Sequence, residues 1–479
     1  GRDNLTKGEL ALDKDCRFLG LRVTTTANIG AYLMATGPNP PVMNLGTLAG
    51  VYTTPAIHVD VTAVFTNTNP MRPYRGAGRP EAAYVIERLI DLAADELGVD
   101  PAEIRRLNTI PPGAMPFKTA LTFTYDSGEF EKNMDIALDM SGYAGFEERR
   151  QAASSRGKLR GIGLSNTIER AAAGGIEGGE IRFDRTGTAT IVSGSVTQGQ
   201  GHETVYKQLV CDRLGLEMDE VHYVWGDTDK VAVGQGTGGS RSATLGGSSL
   251  HLAADRVINK AKRIAAHLLE AAVDDIAFDE GVFTIAGTDR DVTIKEVARV
   301  AANPADLPAD IEPGLVGTAV FAAKVMNFPN GCHVCEVEID PDTGTVEIVG
   351  YSVVDDVGTV MNPLLVKGQI HGGIAQGAGQ ILIEDIAFDP KTGQLLTGSF
   401  MDYAMPRADD LSMFEVKSNP VPTETNPLGV KGCGEAGTVG AMPAVINAIV
   451  DALSPLGVRH IEMPATPECI WRAIQGSEG

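Results

Sequence analysis

Polar and apolar residues alternate along Arg17–Ala27 and again along His58–Asn67, the period-two pattern of strands with one buried face. Between Glu81 and Leu97 the period changes. Ala82, Val85, Ile86, Leu89, Ala93 and Leu97 fall three or four apart, on one side of an amphipathic helix. Pro80 suits the first turn of that helix and Gly98 its C-terminal cap. Asp100, with Glu103 three residues on, marks the start of a second, short helix. The stretch from Pro111-Pro112-Gly113 to about Asp126 has neither period, so it is the expected division of the chain. Hairpins are expected at Asp184-Arg185-Thr186-Gly187 and at Asp340-Pro341-Asp342-Thr343-Gly344, and the apolar run Pro443–Leu453 reads as a helix.

One pattern recurs. Gly78-Arg79-Pro80 opens a helix ending Ala94-Asp95-Glu96-Leu97-Gly98, and Gly199-Gln200-Gly201-His202 opens one ending Cys211-Asp212-Arg213-Leu214-Gly215. Such self-similarity suggests a duplicated unit that brings equivalent loops to one site; the common grammar of α/β chains is the plainer alternative. The expected fold is α+β, two-lobed, with mixed sheets and duplicated strand–Gly-loop–helix units. Residues 1–125 form the first part and 126–479 the second.

Composition narrows the class. At 479 residues the chain exceeds one ordinary core, and 43% hydrophobic residues can fill more than one. Glycine, at 56 residues, is well above the usual roughly 7% and is spread between the periodic segments, which implies many tight turns. A net charge of −22 argues against a sequence-independent grip on nucleic acid. No apolar run approaches the roughly 18 residues of a membrane helix, and no basic-then-apolar start resembles a signal peptide. The chain reads as soluble and cytoplasmic, with no nucleic-acid partner and no membrane span. It starts at Gly1 within a strand-rich segment, as a processed product or a fragment of a longer polypeptide would. Of six cysteines, Cys332 and Cys335 alone have C-x-x-C spacing. Their segment alternates like a strand, so they point to opposite faces and should not share a metal. No iron–sulfur spacing is present.

The candidate chemistry lies in four glycine-rich turns ahead of helix-like segments: Arg75-Gly76-Ala77-Gly78-Arg79, Gln198-Gly199-Gln200-Gly201-His202, Gly236–Ser242 and Gly432–Gly437. A helix N-terminus offers free N–H groups and partial positive charge to an anion. Arg75, Arg79 and Arg241 can add bidentate contacts. Any one such turn is as readily structural. Four suggest an anionic, hydrogen-bond-rich ligand such as a phosphorylated pterin or nucleotide, although neither a Walker nor a Rossmann pattern is present. The last turn carries a single carboxylate, Glu435, among three glycines in Lys431–Val439. Glycine allows close backbone approach, and a carboxylate with little side-chain cover can face a reacting centre as general base. A solvated glutamate in an ordinary turn is the alternative.

Four segments together, in this order, resemble the molybdopterin-binding subunit of the molybdenum hydroxylases, the xanthine dehydrogenase and carbon monoxide dehydrogenase superfamily. They are Asn69–Glu81, Gly199–Thr204, Gly236–Ser242 and Asn426–Glu435. The resemblance covers essentially the whole chain, as the C-terminal two thirds of that subunit. It implies that Glu435 is the catalytic base and that Gln200 lies near an oxo ligand of the metal. Arg75, Gly76 and Ala77 would line metal and substrate. Cofactor contacts are implied for Gly199, Gly201, His202, Gly239, Ser240, Arg241, Ser242, Lys431, Gly432 and Gly434. The family holds molybdenum through the pterin dithiolene, so no protein metal ligands are expected.

Two departures bear on substrate. Carbon monoxide oxidisers carry a copper-holding cysteine in the Arg75 loop, which this chain lacks. Purine oxidisers have an aromatic ring at the position of Ala77. The family's earlier Gly-Gly-x-Phe-Gly region and its preceding domain have no counterpart here, so the chain alone is not expected to complete the cofactor site. The resemblance therefore implies hydroxylation of an N-heteroaromatic or aldehyde-type C–H with water as oxygen donor. The implied cofactor is molybdopterin, as the cytosine dinucleotide. Electrons would leave to 2Fe-2S and FAD centres on an iron–sulfur subunit and an FAD subunit. The alternatives are a carbon monoxide dehydrogenase-like enzyme without the cysteine and a non-catalytic anion-binding homologue.

Overall fold

The alternating segments become strands and the 3.6-period segment becomes a helix, as expected. The computed structural model describes residues 2–43, 45–172 and 174–477. Strands β1 (Asn4–Leu12), β2 (Phe18–Asn28) and β3 (Ile57–Val64) precede helices α1 (Arg79–Leu97) and α2 (Pro101–Asn108). The short strands β4 (Phe117–Lys118) and β5 (Thr124–Tyr125) lead to α3 (Phe130–Met140) and α4 (Phe146–Ser154). Then come β6 (Leu159–Ile168), β7 (Ile176–Phe183), β8 (Ala189–Ser193), α5 (His202–Leu214), β9 (Val221–Trp225) and α6 (Ser242–Leu269). A small meander, β10 (Ile276–Asp279), β11 (Val282–Ile285) and β12 (Asp291–Thr293), precedes α7 (Ile294–Ala301). The chain closes with β13 (Val316–Ala322), β14 (Asn330–Ile339), β15 (Val346–Asp356), α8 (Pro363–Leu382), β16 (Glu415–Ser418), α9 (Ala436–Leu453) and α10 (Pro467–Ser477).

The sheets are mixed. Their strand orders are β1-β2-β3, β10-β11-β12, β13-β7-β8-β9 and β16-β15-β14-β6, beside the two-stranded β4-β5. Parallel pairs occur at β2/β3, β8/β9 and β15/β16; the other pairings are antiparallel. Both expected hairpins form, joining β7 to β8 and β14 to β15. Cys332 and Cys335 on β14 enter different hydrophobic clusters, one on each face of the sheet. Among the described residues no group of three His, Cys, Asp or Glu side chains could hold a metal.

The recurrent pattern recurs in backbone geometry. Gly78 and Gly98 bound α1, and Gly201 and Gly215 bound α5, all four in the left-handed region. Apolar packing continues across residues 110–130, because Ala102 of α2 and Met134 of α3 share one cluster with Ile162 of β6.

Two sequence expectations change. The helix read from Pro443 begins at Ala436 and holds Pro443 in its interior, so the residues ahead of the proline belong to the helix and not to the loop. Proline fits poorly inside a helix, which is why the period suggested a later start. The segment Ala436–Leu456 is also long and apolar enough to cross a membrane, contrary to the reading of the sequence. Here it is the core helix: every α9 residue except Asp451 is buried.

Glycine explains how α9 comes to lie so deep. A Cβ on Gly161 or Gly163 of β6 would stand 2.1 and 2.3 Å from backbone oxygens of Ala448 and Ala444. Residues two apart share a strand face, so both glycines open the same face to the helix. On the other side, a Cβ on Gly373 of α8 would meet Gly437 of α9 at 2.9 Å. Sheet and α8 thus clamp α9, and its N-terminus is held where β6, α1 and α8 converge.

Candidate active site

Glu435 is the N-cap of α9, with its carboxylate turned back toward the other loops. Its Oε1 accepts the Gly76 N–H at 2.8 Å, and Oε2 accepts the Ser240 hydroxyl at 2.8 Å. Arg79, at the start of α1, forms an ion pair with the same Oε2. The expectation of little side-chain cover is therefore wrong. Arg79, Ser240 and the buried Glu169 crowd the carboxylate, because three loops close over the end of α9. Burial alone would raise the Glu435 pKa, but Arg79, the Gly76 N–H and Ser240 outweigh it and hold the carboxyl below its ordinary value.

Gly76 and Ser240 reach this point through strained backbone. Gly76 has φ 94°, Ala77 φ 43° and Ser240 φ 52°, and the last two are not glycines. Positive φ costs a side-chain residue energy that the surrounding structure must supply, a pattern common at functional sites. Gly432 fits for a different reason: a Cβ there would meet the Ser240 carbonyl at 1.8 Å, so the base loop lies directly against the Ser240 loop.

A cavity of about 640 Å³ opens beside Glu435. Its wall includes Arg75, Gly199, Gln200, His202, Gly239, Ser240, Arg241, Ser242, Lys431, Gly432 and Gly434 as well as Glu435. Gly76, Ala77 and Gly201 stand behind the wall. Gly76 acts by holding Glu435, and Gly201 by giving room to Leu365, which a Cβ would meet at 2.6 Å. Helices α5 and α6 start at this wall, and neither has a side-chain cap on its first N–H groups. Those donors, with the aligned peptide dipoles, favour an anion in the cavity. A Cβ on Gly199, Gly238 or Gly239 would meet nothing within 4 Å. These loops face open space.

Several side chains are placed otherwise than the sequence suggested. The three arginines expected to grip an anion already have internal acceptors. Arg75 donates to the Gly434 carbonyl at 2.6 Å and to Gln369, Arg79 pairs with Glu435, and Arg241 donates to the Gly236 carbonyl. Gln200 has its amide tied into its own turn, accepting from the Gln198 N–H and donating to the Val196 carbonyl. Lys431 sends its ammonium into the interior, fully buried against Asp356, so its backbone is what faces the cavity. His202 stacks on Tyr206, and burial brings its imidazole down to about 4, so the ring is neutral at physiological pH.

The sequence did not mark the far wall. Met361, Asn362, Leu365, Gln369 and Gln376 come from α8 and the turn before it, where the glycines lie inside a helix and not in a turn ahead of one. Nor did it mark Glu169, which follows β6 and is 1% exposed. Its only signal is an acid at the end of a buried strand.

Family models described as the molybdopterin cofactor-binding domain match residues 136–412 and residues 1–109. The chain is 35% identical over 482 residues to the 6-hydroxypseudooxynicotine dehydrogenase complex subunit gamma of Paenarthrobacter nicotinovorans, covering 99% of this chain and 60% of that protein. It is 35% identical over 492 residues to the carbon monoxide dehydrogenase large chain of Hydrogenophaga pseudoflava, covering 99% of this chain and 61% of that one. Among solved structures, quinoline 2-oxidoreductase from Pseudomonas putida 86 superposes with a TM-score of 0.94 at 34% identity, over 99% of this chain and 62% of the other. The chain thus spans about three fifths of the relatives it matches.

Proposed function

The chain belongs to the molybdopterin cofactor-binding family of the xanthine dehydrogenase and carbon monoxide dehydrogenase superfamily, and from that premise we propose that it is the catalytic portion of a molybdenum hydroxylase large subunit. The observation that carries the proposal is an ionised glutamate at the wall of a cavity onto which the uncapped helices α5 and α6 open. The residues present fit an anionic cofactor that brings its own metal ligands. Open-faced glycines make room for it, the uncapped first turns of α5 and α6 meet its charge, and among the described residues no group of three His, Cys, Asp or Glu competes for the metal.

Backbone of Gly199, Gly239, Ser240 and Ser242, with the first turns of α5 and α6, would hold the pterin and its phosphates; Gly432 and Gly434 would line the metal end. When bound, the cofactor supplies two-electron oxidation of a substrate carbon with oxygen from water. The part of this chain is to move a proton. Glu435 takes it at the carboxylate, whose orientation Gly76, Ser240 and Arg79 fix in advance, a positioning that lowers the barrier before any bond changes. Gln200 shapes the cavity beside it. Arg75 ties the Gly434 carbonyl to α8 and keeps the base loop from drifting.

We assign an N-heteroaromatic or aldehyde-type substrate. A quinoline-named structure among the relatives supports the first class. A carbon monoxide oxidiser is disfavoured by the Arg75 loop, which has no cysteine, and where a side chain at Gly76 would meet the Pro80 ring at 2.4 Å. The cytosine dinucleotide form of the pterin, 2Fe-2S and FAD partner subunits, the remainder of the large subunit and a cytoplasmic location complete the proposal. Residues 1–125 and 126–479 are taken as two cofactor-binding parts, the first lending the Arg75 loop and the second the rest of the wall.

Glu435→Gln in the purified complex tests the assignment. The amide keeps size and hydrogen bonding but cannot accept the proton. Turnover per bound molybdenum should fall by about 10²–10⁴-fold with molybdenum content unchanged. A value within a few-fold of wild type overturns the catalytic role. A complex without molybdenum after molybdate-replete growth overturns the enzyme reading, and copper beside molybdenum would favour carbon monoxide oxidation.

A further inference from the structure

Glu169 has no part in the chemistry derived so far, yet it touches the machinery. Its Oε1 lies 2.7 Å from the Ser240 hydroxyl, whose other carboxylate neighbour is Glu435 Oε2 at 2.8 Å. A hydroxyl has one proton and can donate to one of them only. With both acids ionised, the remaining contact would set lone pair against lone pair. Glu169 Oε2 has no hydrogen-bond partner among the described residues, which is far costlier for a buried anion than for a neutral acid.

The charges around the pair do not remove the problem. Arg79 of α1 contacts both acids, at 3.4 Å from Glu169 Oε1 and in the ion pair with Glu435, but it leaves Glu169 Oε2 without a hydrogen bond and gives the Ser240 hydroxyl no second proton. Arg75 acts on the pair through space while its Nε serves the Gly434 carbonyl. Arg170, the next residue along, does so from beside Phe123. Cys433 of the base loop is a neutral thiol, pushed up to about 12 by burial.

We propose that Glu169 carries the proton of this acid pair, shared through the Ser240 hydroxyl, and so keeps Glu435 ionised and aimed at the cavity. Glu169 is then a positioning residue. Its proton turns the Ser240 hydroxyl toward Glu435, and its neutrality spares the base a like charge at close range. Burial, opposed by the charge of Arg79 and reinforced by that of Glu435, holds the Glu169 carboxyl well above its ordinary value, in keeping with this. The proposal rests on Glu435 being the base for its meaning in catalysis, but not for the location of the proton.

Infrared spectroscopy of the purified holo-complex at neutral pH tests the proton directly. The difference between wild type and Glu169→Gln should contain one carboxylic-acid C=O band that shifts in deuterium oxide. Ser240→Ala should move that band without abolishing it. Loss of carboxylate bands alone in the difference would overturn the proposal, whatever the turnover of Glu435→Gln. The pH profile of kcat per molybdenum gives a second readout. Glu169→Gln mimics the neutral acid and should leave the acidic limb in place, whereas removing an ionised neighbour would lower it by about one pH unit. Should Glu169→Gln fail to assemble, the wild-type band and its shift in Ser240→Ala decide, and no such band at neutral pH refutes the proposal.

Discussion

At the scale of single residues, the site is held by buried charges that cannot be cut one at a time. Lys431 and Asp356 are both fully buried and pair at 2.5 Å. Asp356 further accepts from the Gly358 and Val421 N–H groups and from the Asn330 amide, so one carboxylate ties β15, the Val421 segment and the base loop together. Lys431→Met keeps the stem and deletes the charge, leaving Asp356 buried without its cation. Removing one partner of such a pair typically costs about 3–5 kcal/mol. Thermal or denaturant unfolding should register a loss of that order, together with reduced molybdenum content as the base loop loosens. A stability within about 1 kcal/mol of wild type, the most an exposed pair typically contributes, would show that Lys431 is dispensable to the loop.

At the scale of elements, the decisive contact is a helix lying on a strand with no side chain between them. Gly163 of β6 faces the backbone of α9, where a Cβ would stand 2.3 Å from both the Ala444 oxygen and the Ala448 nitrogen. Those are main-chain atoms in the middle of a buried helix and cannot swing aside. Gly163→Ala must therefore move α9 or bend β6, and overpacking of this kind typically costs about 1–3 kcal/mol. The same shift displaces Glu435 at the helix start, where a misplacement of about 1 Å can cost about 10²-fold in rate. Lower unfolding temperature together with lower turnover per molybdenum is the expected pair of results. Unchanged values of both would mean that α9 is not set by this glycine face.

Across the whole molecule, two helices from distant parts of the chain, α5 and α6, start at one cavity without side-chain caps, and an anionic ligand would meet their first N–H groups. Ligand that binds the folded state alone adds to its stability. Complex prepared without molybdenum cofactor should unfold at lower temperature. Hydrogen exchange should accelerate at the first turns of α5 and α6 while the centre of α9, buried on all sides, stays protected. Equal exchange at those first turns with and without cofactor would remove them from the binding site.

Much of this was legible in order along the chain, because it depends on neighbours. Left-handed glycines cap α1 and α5 where Gly78, Gly98, Gly201 and Gly215 stand, and alternation alone drew β2, β3 and the face-splitting of Cys332 from Cys335. Glu435 was marked by its glycines before any fold was known. The start of α9 was not, since the cost of Pro443 inside a helix is local whereas the burial that outweighs it comes from β6 and α8. What surrounds Glu435 was equally hidden. Gly76 and Glu435 are 359 residues apart, and Ser240 is 195 from the same carboxylate. Three arginines that look free in the sequence are occupied in the fold, and an unremarkable glutamate after β6 becomes the neighbour of the candidate base. Residue type and local backbone preference determined which loops could bind and which acid could react; only the folded chain, by bringing buried charges within hydrogen-bonding distance, decided which of two acids is ionised.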